Sequence, residues 1–143
     1  MSDILETTDR YRWFCPITTR WMDNDVYGHV NNVTYYSYFD SAANLFLIRE
    51  GGLDIAESTV IGVVVESRCT YREAVAYPDA IRAGLRVDKL GNRSVTYGIG
   101  IFREDGERAC AHGYFVHVFV DRVTRQAVPI PEKIRSALQT IVV

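Results

Sequence analysis

An α+β fold, one long helix laid across a curled antiparallel sheet, is predicted by three features of this sequence. A single long stretch, Val33–Glu50, runs without Gly or Pro. Several later runs are rich in β-branched residues and too interrupted by polar groups for a core helix. Between them lie short segments, LGNR and REDGE, that suit hairpin turns and so join neighbouring strands antiparallel.

Taken in order, Ile17–Trp21 reads as a short strand, followed by a polar, turn-rich loop over Asp23–Asn32 that holds Gly28. Asn31 or Asn32 offers the N-cap of the long helix, and Gly51-Gly52 its stop. The helix residues Val33, Tyr36, Phe39, Ala42, Ala43, Leu45, Phe46 and Ile48 cover most of its circumference, so it should be enclosed on several sides. Strands are expected over Val60–Arg72, Ala80–Leu90, Arg93–Phe102 and Glu107–Asp121. The third places Val95, Tyr97, Ile99 and Ile101 on one face; the fourth does so with Cys110, Tyr114, Val116, Val118 and Val120. Gly106 suits a positive φ in its turn. Val128–Pro131 is extended, and Glu132–Leu138 forms a short terminal helix. This order has the outline of the hotdog fold. A ferredoxin-like arrangement would need a second full helix between strands.

At 143 residues, with 48% hydrophobic and 24% charged residues, the chain suits one globular domain spanning 1–143. A net charge of -2 supplies no basic surface for nucleic acid or an anionic membrane. No apolar run approaches the roughly 18 to 20 residues that cross a bilayer. The start, MSDILETTDRYRWF, lacks the basic and apolar regions of a secretory signal, so a cytoplasmic location is expected. Cys15, Cys69 and Cys110 show no CxxC spacing and read as reduced, mostly packed thiols.

Chemistry concentrates in Arg20–Asn32, RWMDNDVYGHVNN, which gathers two carboxylates, a histidine and two asparagines just before a helix start. Unpaired amides and partial positive charge at a helix N-terminus can hold the oxyanion formed when a carbonyl is attacked. A carboxylate slightly upstream, such as Asp25, can then act as nucleophile or as a base on water. The plainer alternative is that Asp23, Asp25, Asn31 and Asn32 cap the helix and satisfy turn amides.

The run Trp21–Phe39, WMDNDVYGHVNNVTYYSYF, resembles the motif of the 4-hydroxybenzoyl-CoA thioesterase family of hotdog proteins: an Asp-x-Asp, a Gly, often His-Val-Asn-Asn, then an aromatic helix. The run Val63–Tyr71, the turn before Arg93-Ser94-Val95, and the tail Val118-x-Val120-Asp121 through Val128-Pro129-Ile130-Pro131 resemble the family in the same order. A long helix apolar almost all round, beside a small sheet with free edges, calls for a homodimer or tetramer. The resemblance implies hydrolysis of an acyl-CoA thioester to a free acid and CoA. It implies no metal and no cofactor, coenzyme A being part of the substrate. It places the catalytic carboxylate on Asp25, makes Asp23 its structural partner, and places the oxyanion amide on Asn32. His29 and Asn31 fall where the loop shapes the pocket, and Gly28 and Tyr27 fall on its substrate side. Some branches carry the carboxylate elsewhere, which keeps Glu66 as a second candidate; an ion pair with Arg68 is its ordinary alternative. CoA phosphates call for cations, for which Arg68, Arg72, Lys89 and Arg93 are available. Tyr27, Tyr35, Tyr36, Tyr38 and Phe39 suit an aryl or medium-chain acyl pocket, or equally a core.

The motifs of serine hydrolases, zincins and nucleotide-binding loops are missing. His112 and His117, five apart in a strand, fall on opposite faces and do not share a metal. Two rivals remain at this level: a hotdog acyl-CoA hydratase or dehydratase, and a non-catalytic acyl-CoA or partner-binding module.

Overall fold

The computed structural model describes residues 6–143. β1 (Trp13–Thr18) leads through a 3-10 turn at Trp21–Asp23 and a loop into α1 (Asn32–Arg49). Four long strands follow: β2 (Val60–Tyr71), β3 (Ala80–Leu90), β4 (Ser94–Arg103) and β5 (Ala111–Asp121), and α2 (Glu132–Gln139) closes the chain. The strands form one antiparallel sheet in the order β1-β3-β4-β5-β2. This is the expected hotdog arrangement, with β1 and β2 as its two edges.

The long elements end within one residue of expectation, because their stop signals are local. Asn31 caps α1 by accepting the Val33 N–H at 2.9 Å, and the Gly51 amide returns to Phe46 O at 3.3 Å. The first strand differs: it spans Trp13–Thr18, and Trp21 lies in the 3-10 turn. Pro16 sits inside it without cost because an edge strand can do without one amide. β5 begins at Ala111, not Glu107. Residues 107–109 are drawn off by the N-terminal segment, with Thr8 N–H donating to Glu107 O at 3.0 Å and Ala109 N–H to Glu6 O at 2.8 Å. Gly106 has no positive φ; the left-handed glycines are Gly28 and Gly52.

α1 buries one stripe, Tyr35, Tyr38, Phe39, Ala42, Ala43, Phe46 and Leu47, at helical spacing. The stripe lies across the sheet: Phe46 meets Trp13 of β1, Phe39 meets Phe115 of β5, and Tyr35 meets Tyr71 of β2, with ring centroids 5.3, 5.8 and 5.2 Å apart. Full burial of each such side chain stabilises by about 1.5–3 kcal/mol. The expected all-round enclosure is not found within one chain, since Val33 and Ile48 face outward. Val95, Tyr97, Ile99 and Ile101 of β4 all face the core as expected. On β5 the core-facing set is Phe115, His117 and Phe119; Tyr114, Val116 and Val118 lie half-buried on the outer face. That outer face is partly covered by Tyr11 and Phe14, which pack on Phe102 with Arg82 and Arg86 stacked on their rings.

Candidate active site

The loop between the 3-10 turn and α1 is a miniature hairpin. Asn24 bridges Val30, the Asp25 N–H donates to His29 O at 2.9 Å, and the Gly28 N–H returns to Asp25 O at 3.0 Å. Gly28 closes this turn at φ 83°, a conformation a side chain resists. A Cβ there would meet nothing within 4 Å, so the requirement is backbone conformation and not space. Asp25 Oδ1 accepts the Tyr27 N–H at 2.9 Å, which turns the carboxylate back over its own loop.

The hairpin is pinned at both ends. Asp23 is buried, and its Oδ2 accepts the Arg20 N–H at 2.9 Å and the Tyr38 hydroxyl at 2.8 Å. Arg20 also reaches Oδ1 through Nε at 3.1 Å and Nη2 at 2.9 Å. Burial by itself pulls this carboxyl group up, yet the Arg20 amide, the Tyr38 hydroxyl and the Arg20 guanidinium together hold it below the ordinary aspartate value. At the far end Val30 N–H donates to Val75 O at 2.7 Å, and Tyr77 N–H donates to Asn24 Oδ1 at 3.0 Å.

Asp25 and Asn32 line one cleft of about 330 Å³ with Val30, Tyr35, Tyr71, Arg72, Glu73 and Ala74. Asn32 is the first residue of α1, and its N–H meets no acceptor among the described residues. Tyr71 closes the cleft from the end of β2, donating its hydroxyl to Asn32 O at 2.9 Å. Burial raises the Tyr71 phenol well above the ordinary tyrosine value, so the hydroxyl remains a donor at every working pH. On the other side of Asp25 a broader groove of about 890 Å³ is walled by Trp21, Met22, Val26 and Tyr27. These four side chains are 73–94% exposed, an unusually apolar rim beside a carboxylate.

Of the sequence-derived candidates, Asp25, Asn32, Gly28 and Tyr27 are therefore brought together. Asn31 lines the groove, but its side chain is committed to capping α1. His29 contributes its backbone carbonyl, and its exposed side chain lines neither cleft. Glu66 and Arg68 are not brought to the loop. They project from the middle of β2 beside Val116 and Tyr114 on the outer face, away from α1. Glu66 faces Tyr114, whose phenol its carboxylate pushes up by accepting a hydrogen bond. No Glu66–Arg68 ion pair forms among the described residues. Arg93 sits at the opposite end of the sheet, its carbonyl accepting the Phe119 N–H at 2.8 Å. Among the expected cations only Arg72 reaches the Asp25 cleft. Tyr38 and Phe39 are core residues, whereas buried Tyr35 lines the Asp25 cleft, so Tyr27, Tyr35 and half-buried Tyr36 remain for an acyl pocket. His112 and His117 lie on opposite faces as expected. No group of three or more potential metal ligands occurs among the described residues.

Comparison with known proteins agrees with the fold. The PA5185 protein from Pseudomonas aeruginosa strain PAO1 is 52% identical, with 97% of each chain covered and a TM-score of 0.96. A thioesterase from Bacillus stearothermophilus, described as predicted, is 25% identical over 92% of this chain and 96% of its own, with a TM-score of 0.77. YsmA of Bacillus subtilis strain 168 is 24% identical, covering 90% of this chain and 86% of its own. The family model described as the thioesterase-like superfamily matches residues 19–138, a span that begins just before the Asp25 loop and ends in α2, and the chain belongs to that family.

Proposed function

We propose that this chain hydrolyses an acyl-CoA thioester to a free carboxylic acid and CoA, with Asp25 as nucleophile or general base and the Asn32 N–H as oxyanion donor. The observation that carries the reading is the shared cleft: a carboxylate and the first, unaccepted amide of an eighteen-residue helix line the same cavity. A thioester carbonyl lying there gains stabilisation as its oxygen becomes negative, through a backbone donor fixed by the helix. In the nucleophilic route the carboxylate oxygen bonds to the carbonyl carbon, the C–S bond breaks, CoA leaves as thiolate, and water cleaves the resulting anhydride, restoring the Asp25 carboxylate and supplying the proton that converts the thiolate to thiol. In the general-base route Asp25 takes a proton from water, the hydroxide adds, and the proton goes on to the departing sulfur. Neither route calls for a metal or prosthetic group. The apolar rim Trp21, Met22, Val26 and Tyr27 suits the acyl group, and Arg72 suits an anionic part of CoA.

The reading includes self-association. β2 is a twelve-residue edge strand with Val64 and Val65 exposed, whereas the β1 edge has six residues and carries Pro16. An open edge of that length invites a second strand, whereas the β1 edge is half as long and interrupted by one missing amide at Pro16. Two copies paired through β2 would also add a second surface near the Tyr71 end of the cleft.

A thiol-release assay with aryl, short-, medium- and long-chain acyl-CoA substrates tests the function. Release of CoA thiol from at least one class supports hydrolysis. Addition of water across an enoyl-CoA without thiol release would identify a hydratase, and binding without turnover a binding module.

A further inference from the structure

We infer that Tyr38 is a positioning residue for Asp25, acting through Asp23. The inference rests on the reading that Asp25 and the Asn32 amide carry the hydrolysis.

Asp25 has no direct tie to α1 among the described residues. Its side chain accepts from Tyr27, its N–H goes to His29 O, and its carbonyl accepts from Gly28, all inside the 25–29 turn. The remaining ties of the hairpin, through Asn24 and Val30, run to Tyr77 and Val75, not to the helix. The distance between the carboxylate and the first amide of α1 is therefore set by Asp23, two residues upstream. Asp23 holds the helix twice. Its carbonyl accepts the N–H of Asn31, the N-cap, at 2.9 Å, and its carboxylate accepts the Tyr38 hydroxyl at 2.8 Å, in the second turn. Arg20, the other donor to this carboxylate, belongs to the loop's own side and is 62% exposed, so it neutralises the charge without referring it to α1. Tyr38 is the one side chain of α1 that hydrogen-bonds to the loop among the described residues, beside the apolar packing of Val30.

The hydroxyl is separable from the ring. The Tyr38 ring packs against Tyr35 in the core, and phenylalanine keeps that packing. Loss of the hydroxyl alone removes the strut and leaves a buried carboxylate one donor short. A carboxylate and an oxyanion donor that must meet one carbonyl tolerate little change in spacing.

The test is steady-state hydrolysis of the best acyl-CoA from the substrate panel by Tyr38→Phe, Asp25→Asn, the double variant, and Asp23→Asn beside Asp23→Ala. Tyr38→Phe is expected to lower kcat about tenfold while KM changes less than about twofold, since the strut serves alignment more than binding. In the Asp25→Asn background the same change should cost nothing further, because there is no carboxylate left to align. Asp23→Asn, which keeps an acceptor for the Tyr38 hydroxyl, should retain more kcat than Asp23→Ala. Wild-type kcat in Tyr38→Phe, beside a dead Asp25→Asn, removes the inference alone. An equal loss from Tyr38→Phe with and without Asp25 shows a general structural role and also overturns it. Wild-type turnover in Asp25→Asn removes the catalytic reading itself, and the inference with it.

Discussion

The Tyr97 hydroxyl lies 3.1 Å from His117 Nδ1, and both side chains are buried on the inner face of the sheet. Burial pushes the imidazole down to about 4, against an ordinary 6.5, so this histidine is held neutral in the folded chain. Between those values the unfolded chain binds the extra proton and the folded chain does not. Stability therefore rises with pH through that window, is complete above about pH 6.5, and is lost progressively as pH falls towards 4, by up to about 3 kcal/mol. Calorimetric Tm values at pH 7.5 and 4.5 check this, and His117→Gln should flatten the slope between them. The carboxylate Asp23 adds a further loss only at lower pH, because its folded value lies below 3.8. An unchanged slope in His117→Gln would assign the acid sensitivity to another group.

Asp25→Asn should leave folding and CoA binding intact, since asparagine still offers an oxygen to the Tyr27 amide. Turnover should fall at least about a hundredfold, the low end for a positioned acid or base, and further if the carboxylate is the nucleophile. Glu66→Gln, on the outer face of β2, should leave kcat near wild type. Reversal of these two outcomes in a thiol-release assay would move the chemistry to the strand.

Gly28→Val should depress activity while far-UV circular dichroism stays native. The space around Gly28 is open, so the cost comes from φ 83°, which a β-branched residue resists. Relief is expected from Gly28→Asn, which tolerates left-handed backbone better. Equal activity in the valine and asparagine variants would show that the turn does not govern the site.

Sedimentation at micromolar concentration should show a dimer or larger assembly, and Val64→Lys with Val65→Lys should shift it towards monomer by placing charge on the open edge. A wild-type chain that sediments as an active monomer would remove the β2 pairing.

The loop and the helix start were legible in the sequence because they are built from neighbours. Asp25, Gly28, Asn31 and Asn32 lie within eight consecutive residues, and their caps and turns are local chemistry. The stop and start signals of α1 and of the long strands are local too. What the sequence withheld depends on distance along the chain. Tyr71, Arg72 and Glu73 reach Asp25 only because β2 ends beside the helix start, and nothing in the stretch VESRCTYRE points to a cleft some forty residues upstream. Glu66 and Arg68 stand apart from the Asp25 cleft of their own chain for a related reason: strand alternation fixes that they share a face, but only the assembled sheet decides which face looks at α1. β1 begins at Trp13, ahead of the expected Ile17, and its Pro16 is tolerated because β1 is an edge, which only the assembled sheet reveals.

The strand order β1-β3-β4-β5-β2 also bears on how the chain is made. β1 has no sheet partner until β3 has been synthesised, and β2 has none until β5 has emerged. α1, finished by Arg49, carries a stripe of aromatic and aliphatic side chains whose full covering includes Phe115 and so waits for roughly seventy more residues. At about 5–20 residues per second the ribosome leaves that stripe uncovered for some seconds. The nascent chain is then a helix with its oily side open and two unpaired edges, so newly begun molecules on one polysome are more at risk of sticking to one another than finished ones are.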